Sequence, residues 1–211
     1  MLLKTRTITS TQETNYVDLG LPSGLLWSTC NIGADEPTDY GDYFMWGNAE
    51  PDTNYYCNWA HAPFNTGYAS YNAKYFKSIQ DKVCPNGILA SEYDAATTIL
   101  GDYWRLPTYN DFNELLHNTT NIWVINYQNS NINGRLFTAK TDDSKTLFIP
   151  ASGYRSGSSF YDRGSFAHLW SSLIDANSPN FARDFYFDDS NCSMCNNSSY
   201  YGFCLRGVKE I

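Results

Sequence analysis

The sequence predicts an α+β domain built from short elements. Helix signals are confined to one stretch, residues 91–117, and short strand signals lie on both sides of it. No strand–helix–strand alternation of a parallel sheet is present. A chain of 211 residues buries a sizeable core without disulfides or metals. The expected organisation is an N-terminal arm over 1–15 and a single domain over 16–211, with two short helices, several short and mostly antiparallel strands, and long ordered loops.

The elements follow from local pattern. Met1 to Asn15 is Thr-rich and reads as an extended arm or tether. Val17, Leu19 and Leu21 then alternate, Pro22-Ser23-Gly24 turns, and Leu25-Leu26-Trp27 resumes. Tyr43-Phe44-Met45-Trp46, closed by Gly47, reads as a buried strand. The stretch from Glu50 to Lys82 is aromatic, Asn-rich and irregular, an ordered insertion held by its Tyr and Trp side chains. Ser91 with Asp94, followed by Ala95 and Ala96, predicts a short capped helix ending near Gly101. Thr108 and Asp111 form a second capping pair, and Phe112, Leu115 and Leu116 give that helix one apolar face. Strands are expected at Trp123–Ile125, Arg135–Thr141, Thr146–Ile149, Leu169–Ser171, Arg183–Phe187 and Phe203–Val208. Asn133-Gly134 and Asp142-Asp143 read as turns among them.

Composition excludes several classes. The net charge is −8 and only 17% of residues are charged, which disfavours nucleic acid and anionic membrane surfaces as partners. No run approaches the roughly 20 apolar residues of a membrane-spanning helix, so no membrane insertion is expected. Lys4 and Arg6 are not followed by an apolar stretch, so no secretory signal peptide is visible in this chain. Aromatic residues make up 17%, led by 17 Tyr, and amphipathic Tyr in excess suits adaptable binding surfaces.

Catalytic and metal chemistry find no coherent constellation. Cys192 and Cys195 form a C-x-x-C without a second pair or a His at zinc spacing, and read as incidental loop cysteines. His61, His117 and His168 are far apart in sequence, and His117 suits a helix C-terminus. No G-x-S-x-G, phosphate-cradling glycine loop or H-E-x-x-H is present. Asp188-Asp189 with Asn191 reads as a solvated acidic loop rather than a calcium site. The expectation is a binding protein, not an enzyme, with no cofactor and no metal.

Several segments resemble one group of domains. They are Val17-Asp18-Leu19-Gly20-Leu21-Pro22-Ser23-Gly24 with Trp27, Tyr40-Gly41-Asp42-Tyr43-Phe44 with Trp46-Gly47, and Asp94-Ala95-Ala96. Trp104-Arg105-Leu106-Pro107-Thr108, Ser152-Gly153-Tyr154-Arg155, Trp170-Ser171-Ser172 and Gly202-Phe203 with Arg206 complete the set. In this order they resemble Bacteroidetes-type domains of the C-type-lectin-like superfamily, the kind named for its abundance as paralogues in Fibrobacter succinogenes. The resemblance implies a mixed fold with two helices and a C-terminal ligand-binding face. It extends to the variable proteins of diversity-generating retroelements, including the phage tropism-determinant class, in which adenines of AAY codons near the 3′ end are rewritten. It implies display on a phage virion tail or a bacterial cell surface, with a protein or glycan receptor as partner, and leaves monomer or homo-oligomer open. The superfamily also holds formylglycine-generating enzymes, whose surrounding motifs are not recognisable here. Glu50-Pro51-Asp52 is similar to the Glu-Pro-Asn of calcium-dependent lectins, but lies early and lacks a following Trp-Asn-Asp.

Residue chemistry supplies a separate argument for a variable region at about 156–206. Between Lys145 and Lys209 there is no Lys, Glu or Gln, residues that an AAY codon altered only at its adenines cannot yield. Turn-rich β structure also lacks long charged side chains, so a fixed adhesin or structural module of an envelope protein stays open. If Ala182–Asp188 is a strand, Arg183, Phe185 and Phe187 share one face, where the two Phe can bury, while Asp184, Tyr186 and Asp188 share the other, which suits solvent or a ligand. Phe203 and Leu205 likewise form a buried row with Cys204 opposite. The candidate ligand-binding residues are Tyr161, Phe166, His168, Leu173, Asp175, Phe181, Asp184, Tyr186, Asp188, Ser190, Tyr200 and Tyr201.

Overall fold

A computed structural model describes residues 15–52, 57–63, 81–178 and 180–210. All of the expected arm but Asn15, and most of the irregular insertion between Glu50 and Lys82, lie outside the described residues. The described chain is α+β, with short strands that pair antiparallel and few helices.

The elements in order are β1 (Tyr16–Asp18), β2 (Leu26–Ser28), α1 (Ala95–Leu100), β3 (Trp104–Arg105), α2 (Tyr109–Asn118) and β4 (Thr119–Val124). There follow β5 (Gly134–Ala139), β6 (Thr146–Pro150), β7 (Tyr154–Ser156), β8 (Ser159–Tyr161), β9 (Ala167–Ile174), β10 (Phe181–Phe187), β11 (Cys192–Ser198) and β12 (Val208–Lys209). They form four sheets, in the orders β1-β2-β12-β3, β4-β5-β6, β7-β8 and β11-β10-β9. In the first of these the last strand is inserted between β2 and β3, so both ends of the domain share one sheet.

α1 and α2 start where their capping residues require. Asp94, not Ser91, caps α1: its carboxylate accepts from the Ala96 and Thr97 amides, while Ser91–Tyr93 forms a preceding 3-10 turn. The same carboxylate reaches the Leu106 amide at 2.8 Å, tying the helix to the chain after β3. Around α2 the Thr108–Asp111 capping box is complete, and Asp111 also pairs with Arg105 at 2.6 Å. At the other end of α2, His117 Nδ1 lies 2.6 Å from the Asn113 carbonyl.

Two large apolar clusters lie on either side of the β11-β10-β9 sheet, and a third, small one gathers Met45, Cys57 and Ala62. Adjacent side chains on β9 show the division: Leu169 joins Trp27, Phe112, Phe137, Phe185 and Phe187, whereas Trp170 joins Phe44, Trp46, Trp104, Ala182 and Phe203. That follows from the two-residue period of a strand. Phe185 stacks on Phe112 with centroids 4.6 Å apart. On the other side Trp170 donates its indole N–H to the Phe44 carbonyl, and Trp46 donates its own to the Ser171 carbonyl, both at 2.9 Å.

Three expectations are modified here. Tyr43–Trp46 is buried as expected, but it makes only a single bridge, Phe44 to Phe203, rather than a strand ladder. Cys204 lies on the other side from the Phe203 and Leu205 row, as expected, but it too is buried, with its thiol against the Tyr40 carbonyl. Gly134 belongs to β5, and the β4–β5 turn instead uses Asn126, Gln128, Asn129 and Asn131 at positive φ.

Candidate ligand-binding face

β10 brings the candidate residues together, but it does not present one open face. Alternation along β10 holds despite a register shift in the β9–β10 pairing: Ala182 and Asp184 lie on the Trp170 side, and Phe185 and Phe187 on the other. Asp184 is fully buried, contrary to the expectation that it faces outward. Its Oδ2 accepts from His168 Nδ1 at 2.5 Å, and its Oδ1 accepts from the Asn197 amide at 3.1 Å. The three side chains come from β9, β10 and β11 and pin the sheet from within. Asp184 thereby selects the imidazole tautomer that carries its proton on Nδ1.

Above this buried link lies a continuous group of rings. His168 contacts Phe203, Tyr186, Phe166 and Tyr154 at centroid distances of 4.6, 5.0, 5.4 and 6.4 Å. Tyr154 in turn stacks on Tyr161 at 5.1 Å and meets Tyr201 edge-on at 5.5 Å. Tyr200 lies 4.4 Å from Tyr201 and 4.6 Å from Trp59, carrying the group on to the 57–63 segment. Tyr161, Phe166, His168, Tyr186, Tyr200 and Tyr201 are therefore brought together, with exposure rising towards β8. Phe160 and Tyr161 there are 46% and 44% exposed.

Two glycines permit this convergence. Gly153 has φ +61°, and a Cβ there would overlap the Tyr161 carbonyl, so β7 and β8 approach only with glycine at this position. At Gly202 a Cβ would meet Cys57 Sγ at 2.7 Å and Arg155 Cβ at 3.0 Å. Tyr154 and Arg163 belong to the surface but were not among the sequence candidates. Arg163 lies 3.6 Å over the Phe160 ring and donates from Nε to the Tyr43 hydroxyl at 2.9 Å. The Gly-Tyr-Arg run at 153–155 is the signal that marks Tyr154; Arg163 has none.

The rim is acidic and pre-ordered. The Tyr186 hydroxyl donates to Asp188 Oδ2 at 2.6 Å, and Asp188 Oδ1 accepts from the Ser190 and Asn191 amides. Burial, then this hydrogen bond to a carboxylate, pushes the Tyr186 phenol up to about 12. The Tyr186 hydrogen bond holds the Asp188 carboxyl below its ordinary value. Ser190 is exposed at the same turn and donates to Asp189 at 2.7 Å.

Three candidates fall elsewhere. Asp175 is buried at the opposite end of the β9–β10 hairpin, a correction to its reading as a contact residue. It accepts from the Asn177 and Ser178 amides and from Asn196, and pairs with Arg183 at 3.3 Å, so it organises the turn. That pairing keeps Arg183 half-buried at the sheet end rather than in the Phe185–Phe187 row. Leu173 bridges to Ile88, and Phe181 starts β10 opposite Ser198, both half-buried and apart from the ring group.

Cys192 and Cys195 sit in β11, not in a loop, and this geometry answers the C-x-x-C question. Residues three apart on a strand point to opposite faces. Cys192 packs against the Phe185 cluster, and Cys195 pairs across from Asp184. Both thiols are free, and burial pushes that of Cys192 up to about 12. Among the described residues no group of three or more His, Cys, Asp or Glu side chains is placed to hold a metal, and no helix is long and apolar enough to cross a membrane. Comparisons of the chain with protein-family models, curated proteins and solved structures gave no match.

Proposed function

We propose that this chain is a C-type-lectin-like binding protein that recognises a protein or glycan receptor through its C-terminal ring surface. The retroelement is proposed as the source of that surface's variation, and a phage tail or a bacterial cell surface as its place of display. The observation that carries the reading is the convergence of Tyr154, Tyr161, Phe166, Tyr186 and Tyr201 from separate segments onto one surface. Aromatic side chains of this kind supply contact area at low rotamer cost, and a rigid sheet beneath them limits the entropy lost on binding. The absence of Lys, Glu and Gln between Lys145 and Lys209 adds the genetic argument.

The second reading is an adhesin or structural module of fixed sequence. The buried Asp184–His168–Asn197 link favours it, since such a link restricts variation within the same surface. Sequencing the DNA around the gene separates the two. Diversification requires a near-repeat of the 3′ coding region beside a reverse-transcriptase gene, with mismatches only at template adenines. Those mismatches are expected in codons for exposed positions such as Phe160, Tyr161, Ser190, Ser193 and Asn196, sparing Trp170, Asp184, Phe185 and Phe187. A gene without such a repeat, or with mismatches spread over all four bases and into buried codons, removes the variable-protein reading.

A further inference from the structure

On the opposite side of the Phe185 cluster, β4 forms one edge of the β4-β5-β6 sheet. Its ladder with β5 runs without a bulge from Thr119–Ala139 to Val124–Gly134. Among the described residues, no backbone hydrogen bond pairs its outer edge with another strand. Alternate amides and carbonyls of an antiparallel edge point outward, so this edge is a template for another strand.

The usual protections of such an edge are missing. From Thr119 to Gly134 the chain carries no Asp, Glu, Lys, Arg or Pro. The outward side chains are β-branched: Thr120 is exposed, Ile122 is 60% exposed, and Ile125 just beyond the strand is 74% exposed. Ile122 begins an apolar row that crosses the sheet through Leu136 to Phe148, where Tyr127 stacks at 3.9 Å.

We infer that β4 pairs with β4 of a second copy, antiparallel across a two-fold axis, joining the two sheets into one. Self-pairing is favoured by charge. Each copy carries −8, so most surfaces repel when two copies meet, whereas this strip carries no charge to repel. An isologous pair also asks nothing of a partner that the strip does not itself provide. The row from Phe148 to Ile122 would continue into its symmetry mate, covering the exposed isoleucine. The inference does not depend on the proposed ligand face, which lies on another sheet. A dimer of this kind would present two such faces and gain avidity from them.

The test is sedimentation of the full chain over a concentration series, with amide hydrogen exchange on the same samples. The wild type is expected to be a dimer whose outer-edge β4 amides are protected. Ile122→Lys places two like charges across the axis and is expected to raise the dimer dissociation constant more than about tenfold while freeing those amides. Thr120→Lys is the second variant, and Tyr103→Lys, at a residue 85% exposed outside the sheets, is the control that leaves the dimer intact. Circular dichroism reports whether each variant is folded. A wild type that stays monomeric, a dimer that both β4 variants leave unchanged, or a dimer with unprotected β4 amides overturns the inference. So does a monomer with protected β4 amides that lose protection when residues 1–14 are deleted.

Discussion

Asp184→Ala should destabilise the fold by about 3 kcal/mol, because two donors lose the acceptor they share. The carboxylate is fully buried and holds two donors, His168 Nδ1 and the Asn197 amide. Truncation leaves both donors without an acceptor, at about 1–3 kcal/mol for each buried group. Relief from burying a carboxylate offsets part of that loss. Asp184→Asn separates charge from hydrogen bonding. Its carboxamide oxygen can still accept from Asn197, and its NH2 can donate to His168 Nδ1 once the imidazole moves its proton to Nε2. The asparagine variant should therefore cost only about 1 kcal/mol. Urea denaturation of the wild type and both variants measures this, with midpoints compared at unchanged m-values. An alanine variant within about 0.5 kcal/mol of the wild type would match an outward-facing aspartate and refute the buried link. Equal losses for alanine and asparagine would show that charge, not hydrogen bonding, carries the effect.

Asp94→Ala should cost about 2–4 kcal/mol in the same assay, combining a lost helix cap with an unsatisfied Leu106 amide; a loss under about 1 kcal/mol would mean the carboxylate only caps α1. The phenol of Tyr186, read as the absorbance difference between the wild type and Tyr186→Phe, should titrate near 12. Because the folded value is raised, its contribution to stability is complete below the ordinary phenol value and lost as pH rises through about 12. Asp188→Asn removes the second cause of that shift but not burial, so the midpoint should fall while staying above the ordinary value; an unmoved midpoint would count against the Tyr186–Asp188 hydrogen bond.

Local signals and long-range ones were unequally legible in the sequence. Thr108 with Asp111 and the apolar face of Phe112 and Leu115 placed α2 within a residue or two, because capping and helical spacing are set by near neighbours. The Phe185–Phe187 row was legible for the same reason, as a two-residue period. Asp184 was not. Its burial depends on His168 and Asn197, which β9 and β11 supply. Asp175 failed in the same way, since Asn196 and Arg183 reach it only once the hairpin has closed. Alternation tells which side of a strand a residue is on; whether that side is covered depends on partners distant in sequence.

The buried link bears directly on how a diversified surface would work here. His168, Asp184 and Asn197 are all residues that altered AAY codons can encode, so the genetic mechanism alone does not protect them. Physics does. Changing Asp184 alone strands two donors, changing His168 leaves Asp184 Oδ2 without its donor, and changing Asn197 does the same to Asp184 Oδ1. Independent variation at these positions would therefore cost stability in most variants, whereas Phe160, Tyr161 and Ser190 are exposed enough to vary freely. The ring surface then divides by depth: an inner part around His168 that must stay fixed for the sheet to hold, and an outer part along β8 and the β10–β11 turn that is free to change. On the proposed reading, specificity resides in the outer part, and the fixed inner rings supply the rigid floor against which each new side chain is presented.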